Sequence, residues 1–358
     1  MSGALPRAQH WRARRVLVTG HTGFVGGWLS TWLARLGAKV HGYSLEPPST
    51  PSFFDATGLA SHLASSTRGD IRDRDGLDRA FRDAAPQDVF HLAAQPIVRT
   101  AFRDPVETFS TNVMGTVHVM EACRARSGVE RIVAYTTDKV YRNDQSGRAF
   151  DEGDPLGGNE PYSASKAAAD GAIAAYARGY FEPSPRVAIV RAGNIVGGGD
   201  WGADRLLPDA ARAFAERKAL VIRNPHATRP WQHVLDAVRG TLLIAERMEA
   251  KGEDIAWNLG PSSEGESTVS DVADLAMNAW GEGAAWRHEP DASIAESKVL
   301  RLSSEKAARG LAWRCAWDVK RAVAESVAWY KAFAHGDDAH EVTLRQIDAY
   351  VADVERQP

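Results

Sequence analysis

Short unbroken apolar runs punctuate the first two hundred residues. Between them lie longer stretches in which apolar positions recur every three or four residues. Val16-Leu17-Val18, Val89–Leu92, Ile132–Tyr135 and Val187–Val190 are too short for helices and too continuous for strands with one wet face. Such runs read as strands buried on both sides. The first spans Arg15–Thr19 and leads through a glycine turn into a helix beginning near Gly26-Gly27-Trp28. Gly37 is a helix stop, and Lys39–Ser44 is the second strand. Strands alternating with helices predict an α/β fold, a Rossmann-type doubly wound parallel sheet with helices on both faces. After Arg191 the texture changes: Gly197–Trp201 and the Pro- and Arg-containing Asn224–Trp231 read as loops, and the helices Asp236–Met248 and Val319–Lys331 carry many charges. A smaller mixed α/β C-terminal region is expected to cover the strand ends, where such sheets bind ligands. The expected division is a basic arm over 1–14, a dinucleotide domain over 15–193 plus about 230–260, and a substrate domain over 194–229 plus about 261–358.

Composition narrows the function. A chain of 358 residues with 44% hydrophobic content can bury a large core. A net charge of −3 with 25% charged residues gives no overall field for nucleic acid or an anionic membrane. No apolar run reaches the roughly 20 residues that span a bilayer. The two cysteines, Cys123 and Cys315, are too few for a disulfide framework and suit a reducing cytoplasm. Arg7, Arg12, Arg14 and Arg15 precede the first strand without an apolar segment, which reads as a solvated terminus rather than a signal peptide.

Candidate chemistry begins at the first strand–helix junction. In Gly20-His21-Thr22-Gly23-Phe24-Val25-Gly26, Gly20 would make the tight turn, Gly23 would admit a pyrophosphate, and Gly26 would let helix and strand pack closely. Position after a strand and before a helix makes this a dinucleotide loop rather than a packing turn. Glu46 lies 20 residues beyond Gly26, after Ser44, where an acid would hold the ribose hydroxyls. No arginine lies between residues 40 and 67 to meet a 2′-phosphate, so NAD is expected. Asp70-Ile71 would flank the adenine, or Asp70 would cap the next helix. Leu92-Ala93-Ala94-Gln95 ends another strand, with small residues where backbone would approach the cofactor.

Two further runs carry the reaction. Tyr162-Ser163-Ala164-Ser165-Lys166 sets a phenol and an ammonium one helical turn apart on one face. The lysine, with a cationic nicotinamide, would lower the phenol's pKa toward that of a usable base. Thr136-Thr137-Asp138-Lys139 places an acid and an amine together at a strand end, or else forms a surface ion pair. The two runs together suggest hydroxyl oxidation plus a further proton transfer.

With these motifs the chain resembles the extended short-chain dehydrogenase/reductases, in the nucleotide-sugar 4,6-dehydratase branch, and is most similar to its CDP-glucose-type members. The resemblance rests on Val18–Phe24, Phe90–Pro96, Asn112–Thr116, Thr137–Lys139, Asp154–Gly158, Tyr162–Lys166, Arg191–Asn194, Gly197–Trp201 and Arg223–Val234. It implies C4 oxidation by Tyr162 with Lys166, C5/C6 elimination of water by Asp138 as acid and Lys139 as base, and return of hydride to C6. Thr137 would support O4. Related dehydratases carry Asp-Glu at this pair, so Lys139 inverts the charge logic, and a water activated by Lys139 is the alternative base. An epimerase, a dehydratase for a dTDP-, UDP- or GDP-linked sugar, and an inactive NAD-binding regulator are the competing readings.

For the nucleotide-diphosphate sugar the candidates are Arg205, Arg229 and Arg301, whose guanidinium groups fork onto phosphate oxygens. Asn194 and Asp200 join them, and Trp201 and Trp231 would either stack on a base or pack a core. Asn112 would support the strand beneath the tyrosine. Val25, Val140, Arg142 and the small polar Asp144–Phe150 loop depart from the family pattern and put substrate identity in question. No His, Cys and carboxylate spacing suggests a metal. By resemblance, helices around Val106–Arg124 and Ser163–Tyr180 would pair two copies into a homodimer, or build a tetramer.

Overall fold

A computed structural model describes residues 3–181, 186–248, 255–261, 267–290 and 299–357. Its centre is a seven-stranded parallel sheet. The first six strands are β1 (Arg15–Thr19), β2 (Lys39–Ser44), β3 (Ser65–Arg68), β4 (Asp88–His91), β5 (Arg131–Tyr135) and β6 (Arg186–Ala192), and the seventh is Ala256–Leu259. Across the sheet the order is Ala256–Leu259, β6, β5, β4, β1, β2, β3. The direction of winding therefore reverses between β1 and β4, and the chain leaves a crevice beyond their carboxyl ends. Val16 pairs with Val40 on one side and Asp88 on the other. Four consecutive residues of β1 and all of β4 are buried, as the unbroken apolar runs required. β3 is short, polar and at the edge, which is how an edge strand avoids further pairing.

Beyond β6 the chain adds small pairings. Asn194–Val196 runs parallel to Trp231–His233, Ala219–Ile222 parallel to Ala285–His288, and Thr228–Arg229 antiparallel to Ser267–Thr268. Helices Leu206–Ala215, Val269–Trp280 and Val319–Ala334 enclose a core of their own around Phe214, Leu220, Val272 and Val323. The largest core is continuous from the sheet into the C-terminal helices: Trp28, Trp32, Val234, Trp313, Trp329 and Tyr350 belong to one packed cluster.

Where the sequence suggested a solvated basic arm, the structure docks one. Trp11 is fully buried, 5.9 Å from the Phe90 ring, and its indole donates to Glu246 at 2.7 Å. Arg7 donates to the same carboxylate at 2.9 Å, and Arg239 donates to the carbonyl of Ala4 at 3.0 Å. The arginines read as solvated charge therefore include a pairing partner for a glutamate whose side chain is only 2% exposed.

Candidate active site

β1 delivers the glycine loop to the crevice. Gly20 adopts φ +83°, and a Cβ there would stand 2.7 Å from the Ala93 nitrogen; at Gly26 it would stand 2.2 Å from the Gly20 carbonyl oxygen. Only glycine allows the turn to lie this close to the end of β4 and to its own helix. That helix, Phe24–Arg35, opens at Gly23 with no side-chain cap, so its first amides face the crevice. The cradle fits a pyrophosphate. Thr22 shares a hydrogen bond with Ser44 at 2.8 Å and donates to the Leu45 carbonyl at 3.0 Å, tying the loop to the end of β2. Phe24 packs toward Gly197. Leu92 donates to the Thr19 carbonyl at 3.0 Å, and Ala93 and Ala94 continue past Gly20.

The acids of this region have partners. Glu46 is exposed and accepts from Arg68 at 2.9 Å. Arg68 lies just past the arginine-free window of the sequence, and the pairing of Ser44 with Arg68 in the β2–β3 register brings it there. Asp70 is held by Arg72 at 2.9 Å and by the Arg72 backbone at 2.8 Å, which keeps its carboxyl below the usual range. Ile71 is buried against Gly115.

The catalytic candidates converge at the ends of β5 and of helix Pro161–Tyr180. β5 runs out at Tyr135, and a single tight turn follows over Asp138–Val140, capped by Thr137. Asp138 is fully buried. Its Oδ1 accepts from Thr137 at 2.9 Å and from the Lys139 ammonium at 3.0 Å, while Oδ2 has no partner among the described residues. Lys139 also reaches Asn194 Oδ1 at 3.5 Å. Helix Pro161–Tyr180 begins with the Glu160 carboxylate accepting from the Tyr162 and Ser163 amides, both at 2.7 Å, so the tyrosine sits on a fixed first turn.

Burial pushes Tyr162 up to about 12, and the offsetting groups are a hydrogen bond with Thr137 and the charge of Arg205. The Lys166 ammonium instead donates to the Tyr135 carbonyl at 2.7 Å, and burial lowers its pKa to about 8. A desolvated cation held by a carbonyl stabilises a phenolate less than one aimed at the phenol oxygen.

Asn112 sits in a π-turn, Ser110–Gly115, a helix irregularity common at working sites. It donates to Ser165 at 2.9 Å and to the Gln95 carbonyl at 3.1 Å, and accepts from the Gln95 amide at 2.8 Å. The end of β4 is thereby fastened to the tyrosine's helix.

Of the substrate candidates, Asn194 and Arg205 stand by the cluster. Arg205 pairs with the buried Asp200 at 2.8 Å. Arg229 is buried and donates to the Thr228 carbonyl at 2.9 Å. The other three have structural duties. Trp201 packs on Tyr330 and Phe333 at 5.1 and 5.5 Å, and Trp231 is buried with its indole donating to Ser267 at 3.0 Å. Arg301 donates to the Gly147 carbonyl at 2.9 Å, pinning the Asp144–Phe150 loop. Reading the sequence missed Arg68 and the buried pair of Asp170 with Arg191; the four-residue spacing of Tyr162, Lys166 and Asp170 was the available signal for the latter. Among the described residues no three His, Cys, Asp or Glu side chains are placed to hold a metal ion, and no helix is long and apolar enough to cross a membrane.

Comparison with known proteins agrees with this geometry. Residues 16–260 match the NAD dependent epimerase/dehydratase family. The chain is 40% identical to a CDP-glucose 4,6-dehydratase of Salmonella typhimurium, over 96% of this chain and 97% of that one. An epimerase from Methanothermobacter thermautotrophicus superposes with a TM-score of 0.80 at 23% identity, over 92% of this chain and 96% of that one, a likeness of fold. A UDP-glucose 4-epimerase of Thermus thermophilus, solved in complex with NAD, gives 0.76 at 25% identity over 88% and 99%.

Proposed function

The chain belongs to the NAD-dependent epimerase/dehydratase family, and from that premise we propose that it is a hydro-lyase converting CDP-glucose to CDP-4-keto-6-deoxyglucose. The observation that carries the reading is the Asp138–Lys139 pair, 3.0 Å apart beside Thr137 and Tyr162. Oxidising a hydroxyl needs a phenol and a lysine; eliminating water needs a second acid and base. The choice of CDP-glucose is supported by the 40% identity, over nearly both whole chains, to an enzyme of that name.

NAD is the family's cofactor. Gly20, Gly23, Gly26 and the first amides of Phe24–Arg35 would hold its pyrophosphate, and Glu46 its ribose. When bound, it supplies a hydride acceptor for sugar C4. Tyr162 takes the O4 proton, with Thr137 hydrogen-bonded beside it as O4 gains negative charge. Asp138 and Lys139 then act as a couple. Moving one proton from Nζ to the carboxylate turns an ion pair into an amine and a carboxylic acid, the two forms elimination requires. Expelling water as the sugar enters favours that neutral couple, because burial penalises charge. With Oδ1 already accepting two donors, the unpartnered Oδ2 is the oxygen on which the proton would sit. The amine removes the C5 proton while the acid protonates the departing C6 hydroxyl; the 4-keto-5,6-ene left behind would take the hydride back at C6 and a proton at C5 from the Lys139 ammonium, which closes the balance at the 4-keto-6-deoxy sugar. Arg229 and Arg205 are the diphosphate ligands of this reading.

The same reading includes a homodimer or tetramer and a cytoplasmic site of action. Val106, Phe109 and Met114 are exposed and line, with Pro105, Val113 and Ala168, an apolar depression of about 580 Å³ on the helices expected to pair two copies. The free thiols Cys123 and Cys315 suit a reducing compartment.

The test is incubation with NAD⁺ and CDP-glucose, followed by the alkali-induced absorbance of a 4-keto sugar. Product from CDP-glucose is expected. Product only from dTDP-, UDP- or GDP-linked sugars would overturn the nucleotide, and no product across that panel would overturn the enzyme.

A further inference from the structure

Behind the catalytic residues lies a polar chain buried in the core. Tyr162, Lys166 and Asp170 follow one another at four-residue spacing on helix Pro161–Tyr180, so they share a face. Asp170 and Arg191 form an ion pair with side chains only 3% and 6% exposed. Asp170 Oδ1 accepts from Arg191 Nη2 at 2.8 Å; Oδ2 accepts from Arg191 Nε at 2.9 Å and from the Thr136 hydroxyl at 3.0 Å. Arg191 turns its remaining nitrogen, Nη1, toward the Tyr141 hydroxyl at 3.0 Å and the Glu152 carbonyl at 3.1 Å. Tyr141 in turn donates to Asn258 Oδ1 at 2.6 Å, and Asn258 donates to the carbonyls of Phe150 and Ser303 at 3.0 and 3.1 Å.

Five segments thus meet on one ion pair: the strand end bearing Thr137-Asp138-Lys139, the helix bearing Tyr162 and Lys166, β6, the 141–152 loop and the seventh strand. A bidentate guanidinium–carboxylate pair is directional, so it fixes distance and angle together. Removing two such charges from water is costly, and a pair retained there is poor evidence of stability alone.

We propose that the Asp170–Arg191 couple is a positioning element of the reaction: it holds the Lys166 helix in register with the Thr136–Lys139 strand end and the 141–152 loop, and so sets the surroundings in which Lys166 works. Burial alone lowers the Lys166 pKa, and Asp170 is the group that raises it again. Among the described residues, the other titratable and charged groups placed about Lys166 are Tyr162 one turn back, Arg191 beyond Asp170, and His91 of β4. His91 is fully buried and kept neutral by that burial, with the Lys166 charge acting in the same direction. Asp170 is the carboxylate one turn on from Lys166, on the same helix face.

The inference rests on Lys166 serving Tyr162, and the experiment separates the two. In cofactor-free protein labelled at the lysine side chains, the Lys166 signal is assigned with Lys166→Arg and titrated by NMR in wild type, Asp170→Asn and Asp170→Asn/Arg191→Gln. The alkaline limb of kcat/KM with CDP-glucose is measured in parallel. Asp170→Asn leaves a buried guanidinium unpaired and is expected to lose stability; the double variant restores neutrality and keeps a folded protein for the test. In both, Lys166 is expected to titrate at least one pH unit lower than in wild type. The alkaline limb is expected to move down with it, and kcat to fall at least ten-fold. Folded variants with an unmoved Lys166 titration would overturn the couple's role, whatever their activity. A moved titration with no product from CDP-, dTDP-, UDP- or GDP-linked sugars by wild type would uphold the couple and overturn the catalytic reading instead.

Discussion

Lys139→Met removes the ammonium at the centre of the proposed elimination while keeping the length of the side chain. In the structure that ammonium lies 3.0 Å from Asp138 Oδ1 and 3.5 Å from Asn194 Oδ1, at the end of β5. A positioned general base contributes about 10²–10⁴ in rate, or about 3–5 kcal/mol of barrier. Stability should change less. Asp138 loses one charge-assisted hydrogen bond, worth about 1.5–3 kcal/mol, and the lower end applies because the Lys139 side chain is 34% exposed. It keeps Thr137 at 2.9 Å. The assay is turnover of CDP-glucose in D₂O, with deuterium at C5 of recovered sugar read by mass spectrometry and 4-keto product read in alkali. Both are expected to fall together by about two to four decades, with NAD affinity within two-fold of wild type. C5 exchange at the wild-type rate would refute the role of Lys139 as base and as activator of a water. Lys139→Arg separates those two, since a guanidinium keeps the charge but does not give up its proton. Activity retained in the arginine variant assigns the C5 proton to a water.

Four further outcomes follow from the fold. Trp11→Ala should cost about 3–5 kcal/mol, seen as a lower urea midpoint at unchanged m-value; an unchanged midpoint would mean that the docked arm contributes nothing. Acidification should destabilise the protein: complete burial holds His91 and His233 at about 3, whereas the unfolded chain binds their protons from about 6.5 downward. Stability is then lost as pH falls below about 6.5, by about 3 kcal/mol per histidine at pH 4.5. Asp236, raised to about 6 by burial, works in the opposite sense, its folded carboxyl gaining a proton first and returning about 2 kcal/mol. His21, lowered to about 4 by burial, adds to the loss, and a net fall in stability between pH 7 and 4.5 in urea titrations is the check. Gly20→Ala should abolish NAD binding in a fluorescence titration, because its Cβ would lie 2.7 Å from the Ala93 nitrogen on a backbone at φ +83°. On the proposed pairing of two copies, Met114→Glu should reduce the assembly size seen by light scattering; an assembly of wild-type size would place the contact elsewhere.

How much of this was legible in the sequence depends on whether an interaction is local. β1, β4, β5 and β6 announced themselves because burial on both faces leaves an unbroken apolar run, and the glycine loop because two of its positions exclude any side chain. β3 was legible only roughly: a short strand is expected to end at Asp70-Ile71, whereas it spans Ser65–Arg68, a polar edge whose bounds come from pairing with β2. That pairing also explains Arg68, since Ser44 opposite Arg68 places a cation beside Glu46 that no scan of residues 40–67 could find. Trp201 and Trp231 were offered a base or a core, and Arg301 a phosphate; the fold directs them into a core, to the Ser267 carbonyl and to the Gly147 carbonyl. Residue type states a capacity; only packing decides on which partner it is used. The proposed catalytic residues were legible for the opposite reason. Thr137, Asp138 and Lys139 are adjacent in sequence, and Tyr162 and Lys166 are joined by helical spacing, so most of their geometry is local. Only their meeting is not. That meeting is made by Thr136 and Asp170, 34 residues apart and 3.0 Å from each other, and by the Arg191 that grips Asp170 from β6. The residues easiest to read thus owe their alignment to a pair that local pattern barely marks, which is why perturbing Asp170 tests the site more searchingly than deleting a residue that touches the sugar.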